Sequence, residues 1–136
     1  MFYAVSERDV VPGADRSVWA RARAGDRHAL ATLVQRYQQP LAGYLWALGV
    51  GRESLEPLLI DTFVAAYHSP PGEAPLRVVL YGLATRLAVR QGVPEDRCLL
   101  VLHYLEAFSY AQAARMLGLS PAAVRARVRR AKNAFG

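Results

Sequence analysis

The stretch SYAQAARMLGLSPAAVRARVRRAKNAFG, residues 109–136, constrains the fold more than any other part of the chain. Ser109 can cap a helix with its hydroxyl, and the apolar residues Tyr110, Ala113, Ala114 and Leu117 follow at helical spacing. Gly118, Leu119 and Ser120 make a tight turn. Ser120 then offers a second cap, and Pro121 occupies the first helical position, where a missing N–H costs nothing. Two capped helices joined by a short turn containing glycine form a helix-turn-helix.

The last helix has two faces. Val124, Val128, Ala131 and Phe135 recur at intervals of four, three and four and form an inward seam, while Arg125, Arg129 and Lys132 form a second face with Arg127 and Arg130 on its flanks. Its charge stands apart from the rest of the chain. Residues 1–120 are almost balanced at +1, whereas residues 121–136 carry five cations and no acid. Cations with no acid three or four positions away repel one another, so a polyanionic partner is favoured over the plainer reading of a solvated surface helix.

In a helix-turn-helix the second helix enters the major groove by its N-terminal end. Ser120, Ala122, Ala123 and Arg125 lie there. Alanine can touch a thymine methyl group but cannot bond a base edge, so Arg125 is the strong candidate for direct readout, ideally bidentate to guanine. Arg127, Arg129, Arg130 and Lys132 are expected on phosphates, which position the protein without specifying sequence.

Elsewhere the apolar residues recur at three and four and never alternate for long, so an all-α fold is expected with no strand. One helix covers about 26–48, with Leu30, Leu33, Val34, Tyr37, Leu41, Tyr44, Leu45 and Leu48 on one side and a kink or break expected near Gln39 from Pro40. A second covers about 54–67, capped by Ser54, with Leu55, Leu58, Leu59, Thr62, Phe63 and Ala66 inward. HSPPGEAP stops it. A third, about 76–90, shows Leu76, Val79, Leu80, Leu83, Ala84 and Leu87 on one face, and Gly92 and Pro94 end it. A helix over about 94–106 carries CLLVLHYL, expected to be buried on most sides.

The expected organisation is a tail at 1–17, a helical bundle of three to four helices at 18–90, a very short linker at 91–94 and a helix-turn-helix domain at 95–136. No apolar run approaches the roughly 18 residues that span a bilayer, and no leader pattern opens the chain, so a cytoplasmic protein without membrane insertion is expected. The lone Cys98 reads as a small buried hydrophobe, and His28, His68 and His103 lack metal-ligand spacing. Tyr37, Tyr44, Trp19 and Trp46 sit at helical spacing that makes most of them core residues. With no glycine-rich phosphate loop, nucleophile motif or carboxylate cluster, no catalytic residue, metal or cofactor is expected, and an enzyme is the least favoured class.

The run VPEDRCLLVLHYLEAFSYAQAARMLGLSPAAVRARVRRAKNAF resembles the C-terminal DNA-binding domain of extracytoplasmic-function sigma factors, alternative specificity subunits of bacterial RNA polymerase. AGDRHALATLVQRYQQPLAGYLWAL is similar to the opening helices of that family's other domain through Gly25, Asp26, Ala29, Leu33, Tyr37 and Leu41. LEPLLIDTFVAAY then lies at the polymerase-clamp segment, where Glu56, Asp61 and Phe63 fit and Pro57 and Ile60 depart. VLYGLATRLAVRQ lies at the minus-ten segment, where Leu80, Tyr81, Ala84, Leu87 and Ala88 fit. Val79, Arg86 and Arg90 depart there from a usual Trp, Asn and Asp.

The resemblance implies a transcription initiation factor that binds core RNA polymerase through Glu56, Asp61 and Phe63 and double-stranded promoter DNA through the last helix. Tyr81, Arg86 and Arg90 are then expected on the minus-ten helix. In the family the two promoter elements lie on the order of 70 Å apart, more than two helical turns of DNA. Residues 91–94 reach only about 14 Å, so packed domains are expected. The alternative is a sigma-like regulator that keeps the fold and one DNA- or protein-binding surface without opening promoters. A third class is an interaction module whose apolar helices bind a partner such as an anti-sigma protein.

Overall fold

Asp26 starts the longest helix. Its carboxylate accepts the Ala29 N–H at 3.1 Å, as an N-cap should, and the chain continues unbroken from Arg27 to Ala47. The computed structural model describes residues 12–69 and 72–135, and all regular structure among them is helical. In chain order the elements are α1 (Pro12–Arg23), α2 (Arg27–Ala47), α3 (Arg52–His68), α4 (Leu76–Arg90), α5 (Glu95–Leu100), a π-helical turn (Val101–Leu105), α6 (Tyr110–Leu117) and α7 (Pro121–Phe135).

Several boundaries differ from the sequence expectation, each for a local reason. Helix α1 begins at Pro12, inside the stretch read as a tail; its buried Asp15 accepts from Arg36 and from the Tyr37 hydroxyl and fastens α1 to α2. Pro40 does not break α2, which runs on past it with Leu33, Tyr37, Leu41, Tyr44 and Leu45 buried before and after it. Packing there outweighs the lost backbone donor. Helix α3 starts at Arg52 rather than after Ser54, and the Ser54 N–H bonds the Gly51 carbonyl at 3.0 Å. Pro57 therefore sits beyond the first turn.

The expected helix over 94–106 is regular only to Leu100. The Glu106 N–H reaches back to the Val101 carbonyl at 3.0 Å and the Phe108 N–H to Leu102 at 2.9 Å, which opens a wide turn. It carries Phe108 into the core and turns Tyr104 and Leu105 outward, at 52% and 68% exposure. CLLVLHYL is thus buried at Cys98, Leu99, Val101 and Leu102 only.

The two halves share one core. Helix α4 packs on α3 with one side and on α6 with another, and the Tyr81 ring lies between Tyr44 and Phe108 at 5.1 Å from each. Gly82 permits this approach, since a Cβ at that position would lie 3.2 Å from Met116 Cγ. Three arginines cross the junction to main-chain oxygens: Arg77 to Glu106 at 2.9 Å, Arg86 to Met116 at 2.9 Å and Arg97 to Leu48 at 3.0 Å. Each oxygen lies at the C-terminal end of its helix, where positive charge is favoured. The short link at 91–94 accordingly joins parts in direct contact, with Gly92 at a φ of 101° and the Val93 N–H bonded to Ala88.

Candidate nucleic-acid interface

The helix-turn-helix is built as its residues dictate. Ser109 Oγ accepts the Gln112 N–H at 3.1 Å and Gln112 Oε1 accepts the Ser109 N–H at 2.9 Å, a reciprocal capping box. Gly118 takes the left-handed conformation at a φ of 67°, and the Leu119 N–H closes the turn on Ala114 at 2.9 Å. Ser120 Oγ then accepts the Ala123 N–H at 3.1 Å and starts α7.

Val124, Val128 and Ala131 are buried against α5 and α6. The side chain of Phe135, the fourth expected member of that seam, lies outside the described residues. On the outer side Ala122, Arg125, Arg129, Arg130 and Lys132 are exposed, and Ala123 is half-buried. Arg127 departs from the expected phosphate set: it is half-buried and forms an ion pair with Glu95 at the start of α5. Its charge is engaged inside the domain. Four cations therefore remain on the open face. The Arg125 guanidinium lies 5.8 Å from the Tyr110 ring centre, and Lys132 Nζ the same distance from Tyr104.

A second surface lies on α3. Glu56 and Asp61 are exposed, while Phe63 is half-buried and packs against the core. Pro57, Ile60 and Val64 are exposed beside them, the last two at 53% and 50%. This band of mixed apolar and acidic character suits a protein partner better than a nucleic acid. Val64 escaped the sequence reading; its signal was a pair of large apolar residues at i and i+4 that fall off the inward stripe.

The third expected group is split, with Tyr81 enclosed and Arg86 and Arg90, four positions apart on α4, exposed. Tyr81 is 1% exposed and serves as the centre of the shared aromatic core. Arg86 is exposed and donates to the Met116 carbonyl, and Arg90 is exposed as well. Because α6 packs on α4, Tyr81 cannot meet DNA while the halves are docked. Beside α4 a cleft of about 850 Å³ opens toward α1, floored by Trp19, Leu76 and Val79 and flanked by Arg16 and Arg23.

Cys98 is fully buried, and burial first, then the nearby Glu95 carboxylate, pushes its thiol up to about 11. It behaves as a packing residue. No helix among the described residues is long and apolar enough to cross a membrane.

Residues 94–135 match the model of the family described as sigma-70, region 4. A curated relative, the RNA polymerase sigma factor NccH of Alcaligenes xylosoxydans xylosoxydans, is 36% identical over 58 residues. That stretch is 43% of this chain and 31% of the relative, so the matched segment spans less than a third of NccH. Among solved structures, CnrH in complex with the cytosolic domain of CnrY superposes with a TM-score of 0.75 at 27% identity. The likeness covers 88% of this chain and 93% of CnrH, and so includes both halves.

Proposed function

We propose, from a sigma-70 region 4 domain at residues 94–135 carried on the fold of a sigma factor, that this chain is a transcription initiation factor of the extracytoplasmic-function type. It would work in the bacterial cytoplasm without catalytic chemistry of its own. The observation that carries this reading is α7: capped by Ser120, seated on Val124 and Val128, and presenting Arg125, Arg129, Arg130 and Lys132 to solvent.

On this reading Arg125 reads a base edge from the N-terminal part of the helix, and Arg129, Arg130 and Lys132 hold phosphates. Ser120, Ala122 and Ala123 let the backbone approach the groove closely. Arg127 acts indirectly, holding α7 to α5 through Glu95. The α3 band of Glu56, Pro57, Ile60, Asp61 and Val64 receives core RNA polymerase, with Phe63 supporting it from within. The likeness to CnrH, solved with the cytosolic domain of CnrY, supports an anti-sigma protein as a further partner.

The docked halves favour a two-stage action. Promoter opening through α4 requires α6 to leave it, because Tyr81 is enclosed and Arg86 is engaged. Double-stranded DNA can meet α7 without that step. In vitro transcription on genomic fragments with purified core enzyme tests the proposal, alongside pull-down of core enzyme with Asp61→Lys as the control. Transcripts that depend on the chain support it, while stable polymerase binding with no transcript selects the alternative, a sigma-like regulator that does not open promoters.

A further inference from the structure

Three side chains from three parts of the helix-turn-helix domain form a column that the DNA-binding reading does not by itself require. His103, in the π-helical turn, stacks on Tyr110 with ring centres 4.3 Å apart and planes within 19°. Tyr110, the first residue of α6, in turn lies 5.8 Å from the Arg125 guanidinium on α7. The foot of the column is fixed: His103 Nδ1–H donates to the Phe108 carbonyl at 2.9 Å, across a loop whose Ala107 holds a φ of 60°. Its middle is fixed as well, because the capping box of Ser109 and Gln112 sets the backbone on either side of Tyr110.

From this we infer that Tyr110 is a positioning residue for sequence readout, a ring that holds the Arg125 guanidinium in place before DNA arrives, with His103 bracing the ring. The inference rests on the DNA-binding reading of α7 and deepens it.

The physical argument begins with Arg125 itself. It is exposed, and among the described residues it forms no ion pair with a carboxylate. A free arginine carries large rotamer entropy, and a bidentate contact with guanine must remove it. The negative face of an aromatic ring attracts a guanidinium without occupying its N–H groups in one direction, so Tyr110 can restrict the side chain and leave its donors available. The other open cations of α7 differ in this respect. Arg129 and Arg130 have no described ring contact, as suits phosphate binding, which tolerates a mobile side chain. Lys132 lies by Tyr104, yet a lysine offers no bidentate fork.

The role predicts a specificity effect separable from general affinity. Removing the ring leaves the phosphate contacts and their salt dependence in place, whereas the preference for the correct base over others shrinks.

The test uses the full chain, a duplex selected on it from a random-sequence library, and a scrambled duplex of the same composition. Tyr110→Leu is expected to lower the ratio of selected to scrambled affinity about two- to five-fold, the range of an exposed cation–π contact, with an unchanged salt slope. Tyr110→Phe should retain the ratio, and Tyr110→Leu should have no further effect in an Arg125→Ala background. In the free protein, the ring current of Tyr110 should shift the Arg125 δ-proton resonances upfield, and Tyr110→Leu should remove that shift.

Equal ratios for wild type and Tyr110→Leu, or equal losses from Phe and Leu, would overturn the positioning role. DNA binding by a wild-type chain whose Arg125 protons are unshifted would overturn it too, and leave the DNA reading intact. Shifted protons with no DNA binding at all would instead overturn the DNA reading on which the role depends.

Discussion

Arg86 on α4 donates from Nε to the main-chain oxygen of Met116 near the end of α6, 2.9 Å away. One side chain of the N-terminal half thus satisfies a helix end of the C-terminal half, and the same device recurs at Arg77 and Arg97. Between these arginines lie Tyr44, Tyr81, Phe108, Leu99 and Leu102, each at most 1% exposed. Polar clamps around a buried aromatic centre make the halves one cooperative body. Chemical denaturation should therefore give a single transition, with Trp fluorescence from Trp19 and Trp46 and whole-chain circular dichroism sharing one midpoint. Arg86→Ala should lower stability by about 1 kcal/mol, the usual scale for one partly exposed bond, without separating the two signals. Midpoints that separate in the unaltered chain would contradict the single body.

Gly82 provides a sharper probe of the same junction. A methyl group there would lie 3.2 Å from Met116 Cγ, part of a flexible side chain that can retreat by a few tenths of an ångström. Gly82→Ala also removes a glycine from a helix interior, worth up to about 1 kcal/mol in the other direction. The alanine variant should therefore stay within about 1 kcal/mol of the parent. Gly82→Leu has no such relief and should cost roughly 1–3 kcal/mol by overpacking. It should also open the junction, read as a larger radius by small-angle scattering and as faster proteolysis near residues 91–94. A leucine variant as compact and as resistant as the parent would show that α4 and α6 are not held by this contact.

How much of this was legible in the chain depends on how many sides of each helix are covered. Helix α7 was readable because one side is buried and the other is open, so Val124 and Val128 separate cleanly from Arg125 and Arg129. Helix α4 is covered on two sides, and its stripe blurs. The sequence marked Val79, Leu83 and Leu87 as inward, and they are half-buried; Val78, Tyr81, Gly82, Thr85 and Ala88 are the enclosed residues that the stripe did not include. Tyr81 was expected on the minus-ten helix by family resemblance, and its burial comes from the α6 packing that resemblance does not show. The π-helical turn was not readable at all, since a continuous apolar run such as CLLVLHYL carries no periodic signal to mark where the winding changes. Arg127 looked like its neighbours, and only the fold brings Glu95 to it from 32 positions away.

Stability should fall at alkaline pH, and the buried hydroxyls and thiol set where. Burial is the first cause that raises Tyr44, Tyr81 and Tyr37 above the ordinary phenol value of 10.0; for Tyr37 the hydrogen bond to Asp15 adds to it. Cys98 rises from 9.0 to about 11. In each case the fold keeps a proton that the unfolded chain loses sooner, so the unfolded state binds fewer protons and stability declines with rising pH. These four groups make stability fall above about pH 9, each adding a slope of about 1.4 kcal/mol per pH unit within its window. Cys98→Ala should remove one such share between pH 9 and about 11. Melting temperatures across pH 8–11 check both statements, and an unchanged slope in the variant would mean that Cys98 ionises in the fold as readily as in the open chain.

The strongest test of the α7 assignment contrasts cations that look alike in sequence. Arg129 and Arg130 are exposed, whereas Arg127 is half-buried against Glu95. Each phosphate contact contributes about 0.9 to the slope of log affinity against log salt concentration. Replacing Arg129 and Arg130 together with Ala should therefore reduce that slope by about 2. Arg127→Ala should leave the slope nearly unchanged and lower folding stability by less than about 1 kcal/mol, as expected of a partly exposed ion pair. Reversing Glu95 to Lys should likewise destabilise the fold, since two cations would then meet where α5 packs on the middle of α7. Fluorescence anisotropy with a labelled duplex, titrated between about 50 and 200 mM salt, reads the slopes directly. If Arg127→Ala lowers the slope by about 0.9, half the effect of the double replacement, the Glu95 pair gives way when DNA binds. If the double replacement leaves it unchanged, the basic face of α7 does not meet the phosphate backbone.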